Sequence, residues 1–461
     1  MTIKSVLIAN RGEIAVRIVR AAKELGIRTV QVHSAADAEM LAVKLADEAI
    51  DIGSPAPKKS YLNIDAVIAA AKSAGVDAVH PGYGFLSENG DFADAVKAAG
   101  MIFIGPSGDA IRLLGDKVAA RGVAARAGVP TVPGSGGRVP DVTAAKEIAE
   151  RIGFPVMVKA AAGGGGRGIR IVQSLAELEQ QFPLASAEAA SAFGDGGLYM
   201  EKVITRARHI EVQIFGDGEN FVHCFERECS LQRRRQKVWE EAQAFRLPKD
   251  VRERLCASAV ALARDVKYRG AGTVEYLYDD ESREFYFIEV NTRIQVEHPV
   301  TEMITGIDLV QEMFKVAGGA PLSVSQAEIK AKGHAIECRI NAEDPAKDFM
   351  PSPGTITKLS VPDGEGIRFD TMLYEGYTIP PFYDSLLGKL IVWAEDRDTC
   401  LARLASALDG LKIEGIRTTV PLHRALASDA SVRKGAFHTR FLESWLDADF
   451  SAAGSLTPEV A

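Results

Sequence analysis

The sequence predicts a multidomain protein of mixed α/β and α+β class, on three observations. At 461 residues the chain is longer than one hydrophobic core serves, so two to four domains are expected. It opens on an apolar strand, a helix and a second strand, the βαβ unit of a parallel sheet. From about residue 201 apolar residues alternate at period two, the pattern of antiparallel strands buried on one face.

The elements follow in chain order. Val6-Leu-Ile-Ala9 reads as a buried strand and Asn10-Arg-Gly-Glu13 as the turn after it. Ile14, Ile18 and Ala22 recur at helical spacing, Gly26 ends that helix, and Thr29-Val-Gln-Val32 is the next strand. The turn lacks the G-x-G-x-x-G fingerprint, which argues against a nicotinamide cofactor. A second αβ unit leads into Ala78-Val-His80 and the glycine-punctuated loop Pro81 to Asn89. Open α/β sheets bind ligands at such carboxyl ends, although a plain turn would also fit. Met101-Ile-Phe-Ile104 and Gly105-Pro106 close this first region, and a helical hairpin follows. Val129 to Gly137, dense in Gly and Pro, marks a hinge or linker. A small αβ segment with its own glycine loop runs from about Phe154 to Met200. Strands are expected at Ile210–Phe215, Phe221–Phe225 and Thr273–Leu277. A third region from about Gly333 mixes strands such as Ala335–Arg339 with a helix near Asp398 to Leu408, and the tail from Ser451 reads as frayed.

Composition is that of an ordinary globular chain, 47% hydrophobic and 25% charged, with formal charge −8. An acidic balance argues against a nucleic-acid surface but leaves room for small anions bound by a local cluster. The five cysteines have no metal-ligand spacing and no even count, so free thiols in a reducing compartment are expected. No signal peptide or membrane-spanning stretch is read, and a cytoplasmic protein is expected.

Four stretches carry chemistry. In Ile288 to His298 an extended backbone would place Glu289, Asn291, Arg293, Gln295 and Glu297 on one side. Two carboxylates with an Asn oxygen suit a hard cation, and Arg beside Gln suits a small oxyanion. Val156-Met-Val-Lys159 runs into Gly163-Gly-Gly-Gly-Arg-Gly168, where residues without Cβ let backbone N–H groups close over phosphates. The G-K-[ST] of a P-loop is absent, so a β-hairpin lid completed by Ile169–Val172 is expected instead. The basic run Leu231 to Glu241 reads as a focus for an anionic substrate, and Glu201-Lys202 ends a strand suited to an adenine edge.

Lys117, Lys159 with its glycine loop, Glu201-Lys202, His209, Glu275 and the Glu289–His298 run stand in the order found in ATP-grasp enzymes. More narrowly, Ile8-Ala-Asn-Arg-Gly-Glu-Ile14, His80-Pro-Gly-Tyr-Gly-Phe-Leu-Ser-Glu-Asn89, Glu226-Arg-Glu-Cys-Ser230, Gln295-Val-Glu-His-Pro-Val-Thr-Glu302 and Pro351-Ser-Pro-Gly354 closely resemble biotin carboxylases, from about residue 3 to 446. The resemblance implies an N-terminal Rossmann-like domain over 1–115 and an ATP-grasp domain over 116–330, with a lid at about 131–203. A C-terminal domain over 331–446 and a flexible tail over 447–461 would complete it. It also implies that Lys117, Lys159, Gly164, Gly165, Gly166 and Arg235 contact ATP phosphates, that Glu201, Lys202 and Ile204 face adenine, and that His209 and Gln232 face ribose. Glu275, Glu289 and Asn291 would hold Mg²⁺ or Mn²⁺. Bicarbonate would lie against Lys237, Arg293, Gln295 and the backbone of Val296, with Glu297 as its base. Arg339 would stabilise the biotin enolate.

The reaction implied is carboxylation of carrier-linked biotin through carboxyphosphate, the first half of an acyl-CoA or other carboxylase reaction. The partners implied are a biotin carboxyl carrier, a carboxyltransferase and a second copy of the chain. No Ala-Met-Lys-Met sequence occurs, so biotin is expected to arrive on another polypeptide, and the final acceptor stays open. The alternatives are an ATP-grasp ligase that does not use biotin and a catalytically silent ATP-binding subunit. Arg235 stands where the family usually has histidine and Glu228 where it has aspartate, Gln243 and Phe245 replace prolines, and Ala162 takes a glycine position. These departures cluster near the nucleotide and bicarbonate positions.

Overall fold

The structure, a computed structural model, describes residues 2–160, 169–193 and 195–450. The first sheet has five parallel strands, β1 (Ser5–Ile8), β2 (Arg28–His33), β3 (Glu48–Asp51), β4 (Ala78–His80) and β5 (Ile102–Phe103), in the order β3-β2-β1-β4-β5. Central β1 is buried along its whole length, which is why it reads as an unbroken apolar run. Helix α1 (Gly12–Glu24) follows it and buries Ile14, Ile18 and Ala22. Asn10 Nδ2 donates to the carbonyls of Pro81 at 2.6 Å and Tyr83 at 2.7 Å, tying the first turn to the glycine loop. Gly82 sits there at φ 62°, where a Cβ would come within 2.9 Å of Asn10 Nδ2, so a side chain is excluded on two counts.

A small antiparallel sheet follows, β6 (Val156–Ala160), β7 (Ile169–Val172) and β8 (Leu198–Lys202), with β6 central. The hairpin expected around the glycine loop is present, with Val156 opposite Val172 and Lys159 opposite Ile169. Gly164, Gly165 and Gly166 lie outside the described residues.

The largest sheet has eight strands: β9 (Ala207–Asp217), β10 (Phe221–Arg233), β11 (Gln236–Ala242), β12 (Arg269–Asp279), β13 (Glu284–Asn291), β14 (His334–Asn341), β15 (Ile367–Thr371) and β16 (Leu386–Ala394). Their order is β13-β12-β9-β10-β11-β14-β16-β15. The sheet continues past residue 330, because Trp239 of β11 pairs with Cys338 of β14. Helices α2 (Lys117–Arg126) and α3 (Lys249–Asp265) cover one face of its first half over Ile210, Val212, Tyr276 and Phe287. Helix α4 (His298–Thr305) packs Val300 and Ile304 on Ala242, Ala335 and Ile391, and α5 (Arg397–Gly410) covers the opposite face over Trp239, Ile336 and Leu390.

One irregularity decides where the acidic run points. Strict alternation along β13 would put Phe285, Phe287, Glu289 and Asn291 on one face, burying carboxylates among aromatics. The pairing instead skips a residue: Tyr276 is opposite Phe287 while Glu275 is opposite Glu289. The β-bulge at Ile288 flips the remaining positions, so Phe285, Phe287 and Val290 enter the core while Glu289 lines up with Glu275. Phe287→Ala, at a position 1% exposed, is expected to lower unfolding free energy by about 3–5 kcal/mol, read as the denaturant midpoint.

Candidate functional site

The site is built on the face of the large sheet opposite α2 and α3. Along β9, Ile210, Val212 and Ile214 enter the core, so His209, Glu211 and Gln213 share the other side. Register then aligns four charged residues across four strands: Arg227 faces Glu211, Glu211 faces Glu275, and Glu275 faces Glu289. Arg227 is fully buried and satisfied, donating Nε to Glu211 Oε1 at 2.6 Å and its Nη groups to Gln213, Thr273 and Thr301.

Lys237 of β11 reaches over this row. Its Nζ lies 2.5 Å from Glu211 Oε2, 3.0 Å from Glu275 Oε1 and 2.6 Å from Glu297 Oε1. The second oxygen of Glu297 accepts from Arg339 Nη2 at 2.9 Å, and Arg339 Nε donates to Glu240 Oε1 at 2.6 Å. Glu297 therefore stands between two cations. Burial opposes its charge, yet Lys237, Arg339 and Arg227 hold its carboxyl well below the usual carboxylate range. Glu275 is likewise held low against burial by Lys237 and His209, whose Nε2 is 3.2 Å away. The three carboxylates in turn keep buried Lys237 charged, raising it well above an ordinary lysine despite desolvation.

The Glu289–Glu297 run reaches this site by another route than one strand face. Strand β13 ends at Asn291, and Glu297 sits in a turn at the start of α4. Its convergence with Glu275 is tertiary, made by Lys237. Asn291 donates Nδ2 to Glu275 Oε1 at 2.8 Å and accepts from Arg293 Nη2 at 3.2 Å, while Arg293 Nη1 donates to Gln295 Oε1 at 3.1 Å. Arg293 also pairs with Glu88 of the glycine loop at 2.9 Å, which ties the first sheet to the site. The Val296 carbonyl accepts from the fully buried Lys389 at 2.7 Å, and Lys389 also pairs with Glu13 at 3.1 Å.

Glu289 is half-buried, and burial together with Glu275 pushes its carboxyl up while Lys117 draws it down. His209, Glu211 and Glu275 bring potential ligand atoms within 4.8 Å of one another. Gln232 Nε2 lies 3.1 Å from His209 Nδ1, so these two residues meet. Exposed Lys117 opens α2, and Lys159 forms an ion pair with Glu201, which also accepts from Arg121 at 2.8 Å. Lys202 and Ile204 are half-buried on and just past β8. The basic run divides. Arg233 and Arg234 turn to Asp348 at 2.5 and 3.0 Å, whereas Arg235 is exposed in the two-residue turn between β10 and β11. Glu240 and Glu241 are engaged elsewhere, Glu241 with Arg397 and His334. Of the departures, Glu228 is buried against Arg208 at 2.7 Å, and Phe245 is exposed with the Arg397 guanidinium 4.8 Å from its ring centroid.

Sequence reasoning gave no site role to Glu211, Arg227, Glu88, Glu240 or Lys389. Glu211 was within reach, since it shares a strand face with His209 two residues away. The others depend on contacts across 93 or more residues, or on a pairing partner that local pattern does not reveal. The five cysteines are all free and buried, and among the described residues no helix is long and apolar enough to cross a membrane.

Residues 2–111 match the family described as biotin carboxylase, N-terminal domain. Residues 116–325 match the carbamoyl-phosphate synthase L chain, ATP binding domain, and residues 337–444 the biotin carboxylase C-terminal domain. Biotin carboxylase from Pseudomonas aeruginosa is 52% identical over 449 residues, 97% of this chain and 99% of that protein. The crystal structure of a biotin carboxylase–β,γ-ATP complex from Campylobacter jejuni superposes with TM-score 0.88 at 50% identity, covering 96% of this chain and 99% of that one. The biotin carboxylase domain dimer of Hydrogenobacter thermophilus 2-oxoglutarate carboxylase, solved with MgADP, ADP and bicarbonate, gives 0.87 at 49% identity, covering 96% and 98%.

Proposed function

The chain belongs to the biotin carboxylase family, and on that premise we infer that it performs the first half-reaction of a biotin-dependent carboxylase. ATP, bicarbonate and carrier-linked biotin become ADP, phosphate and carboxybiotin. The observation that carries the reading is Glu297, an anion held between Lys237 and Arg339 beside a row of metal-suited carboxylates.

We assign Glu297 as the base that takes the bicarbonate proton. Two cations make a carboxylate a weak base, but bicarbonate binding beside Lys237, Arg293, Gln295 and the Val296 backbone shares their charge and raises Glu297 toward a useful range. The bicarbonate oxygen then attacks the γ-phosphorus, the bond to the ADP oxygen breaks, and carboxyphosphate forms. Its breakdown gives CO₂ and phosphate, phosphate takes the biotin N–H proton, Arg339 stabilises the resulting oxyanion, and the biotin nitrogen adds to the CO₂ carbon to give carboxybiotin. We assign Lys117, Lys159 and Arg235 to the phosphates, Glu201, Lys202 and Ile204 to adenine, and His209 with Gln232 to ribose. Gly164, Gly165 and Gly166, outside the described residues, are assigned on the family resemblance as phosphate cover. Glu275 and Glu289 face each other on adjacent strands, and burial together with this like charge pushes Glu289 up; a divalent cation would relieve both, so these residues with Asn291 fit Mg²⁺ or Mn²⁺. Held there, the ion would supply positive charge to offset that on the transferring phosphoryl group. The partners are a biotin carboxyl carrier, a carboxyltransferase and a second copy of the chain, and the setting is the cytoplasm. The domains are 1–115, 116–330 and 331–446.

The purified chain is expected to form ADP only with bicarbonate present and faster with free biotin; hydrolysis indifferent to both would end this reading. Glu289→Gln is expected to raise the Mg²⁺ concentration needed for half-maximal turnover, and an unchanged requirement would contradict its ligand role. Arg235→His tests the exposed hairpin arginine. A neutral imidazole attracts phosphate less than an imidazolium, so nucleotide affinity of the variant should fall as pH rises through about 6 to 8 while the parent stays level. Equal affinities across that range would remove Arg235 from the phosphate contacts.

A further inference from the structure

Next to Arg339 lies a group the mechanism does not use. Glu337 of β14 is fully buried, and among the described residues neither of its carboxyl oxygens has a hydrogen-bond partner. Its register partner on β11 is Glu240, also fully buried, with Oε2 unpartnered. Facing residues of an antiparallel pair have Cβ atoms about 4.5–5.5 Å apart, so the two carboxyls adjoin on the face covered by α4. Two carboxylates sealed from water at that separation do not both ionise readily. Burial pushes Glu240 up to about 7 against the pull of Arg339, and pushes Glu337 well above the ordinary range.

The charged and titratable surroundings set which acid keeps the proton. Lys237 precedes Glu240 on β11, Arg339 follows Glu337 on β14, and Lys389 lies on β16. Glu297 and His298 stand at the start of α4, and Glu13 of α1 pairs with Lys389. Arg339 is committed to Glu240 and Glu297, and Lys389 to Glu13 and the Val296 carbonyl. Among the described residues, no cation donates a hydrogen bond to Glu337.

We propose that Glu337 holds a proton shared with Glu240, and that this buried acid pair keeps Arg339 in place and its surroundings singly charged, making Glu337 a positioning residue for the biotin half of the reaction. The proposal rests on the carboxylation reading above for its functional consequence. A second negative charge on the pair would draw the guanidinium back and repel the biotin oxyanion. Biotin-dependent turnover should then fall as the pair loses its last proton, while bicarbonate-dependent ATP cleavage without biotin should not follow the same titration.

The test uses the full chain and Glu337→Gln, which keeps the shape and cannot ionise. Infrared spectra at neutral pH should show a protonated-carboxyl C=O band in the parent that is missing from the variant. With free biotin, the parent should lose turnover on the alkaline side, and Glu337→Gln should hold it to higher pH. Identical carboxyl bands, or identical pH profiles of the biotin-dependent rate, would overturn the proposal. Should the variant not fold, the parent alone decides: its band should bleach with rising pH in step with the biotin-dependent rate, and a band that is absent or bleaches out of step overturns it. A parent with no bicarbonate- and biotin-dependent ADP formation would instead remove the carboxylation reading and leave the infrared result standing.

Discussion

Glu297→Ala is expected to bind ATP about as well as the parent and to form bicarbonate-dependent ADP roughly 10² to 10⁴ times more slowly, the range for loss of a general base. The fold should tolerate the change, because each cation keeps a partner. Lys237 retains Glu211 and Glu275, and Arg339 retains Glu240. The defect should therefore appear in turnover with little change in melting temperature. Near-normal turnover would take Glu297 out of the mechanism.

Lys237→Met is expected to damage stability and activity together. Three carboxylates meet at one buried Nζ, and removing it leaves Glu211 with Arg227, Glu297 with Arg339, and Glu275 with only neutral or titratable neighbours. Breaking a buried pair from one side costs about 3–5 kcal/mol, because an uncompensated charge stays behind. The pH dependence has a definite sign. Glu275 and Glu297 are depressed in the folded parent, so they contribute stability above the ordinary carboxylate range, and that contribution is lost as pH falls through their folded values. The variant lacks the cation that produces much of this depression. The gap between parent and variant should be widest at neutral pH and narrow in acid. Denaturation midpoints that differ by the same amount at all pH values would contradict this account of the cluster.

Much of the fold was legible because it is written in short-range pattern. The apolar run of β1, the helical spacing of Ile14, Ile18 and Ala22, and the alternation along β9 each map onto an observed element. The bulge at Ile288 was not legible. Composition shows aromatics followed by acids, but only the pairing with β12 reveals that the strand changes face between them. Likewise, the spacing of the Glu289–Glu297 run suggested a shared face, whereas three-dimensional contact joins Glu297 to Glu275 through a lysine from another strand. Glu240 looked like an acid flanking a basic run. Its contact with Arg339 and its pairing with Glu337 depend on the neighbouring strand β14, which starts more than 90 residues later.

Bicarbonate labelled with heavy oxygen tests the central claim most directly. If bicarbonate attacks the γ-phosphorus and carboxyphosphate then breaks down to CO₂, one labelled oxygen stays on phosphorus. The phosphate released during biotin-dependent turnover should carry a single heavy oxygen for each ADP formed. Unlabelled phosphate released at the same rate would mean that water attacks ATP, and would contradict the account.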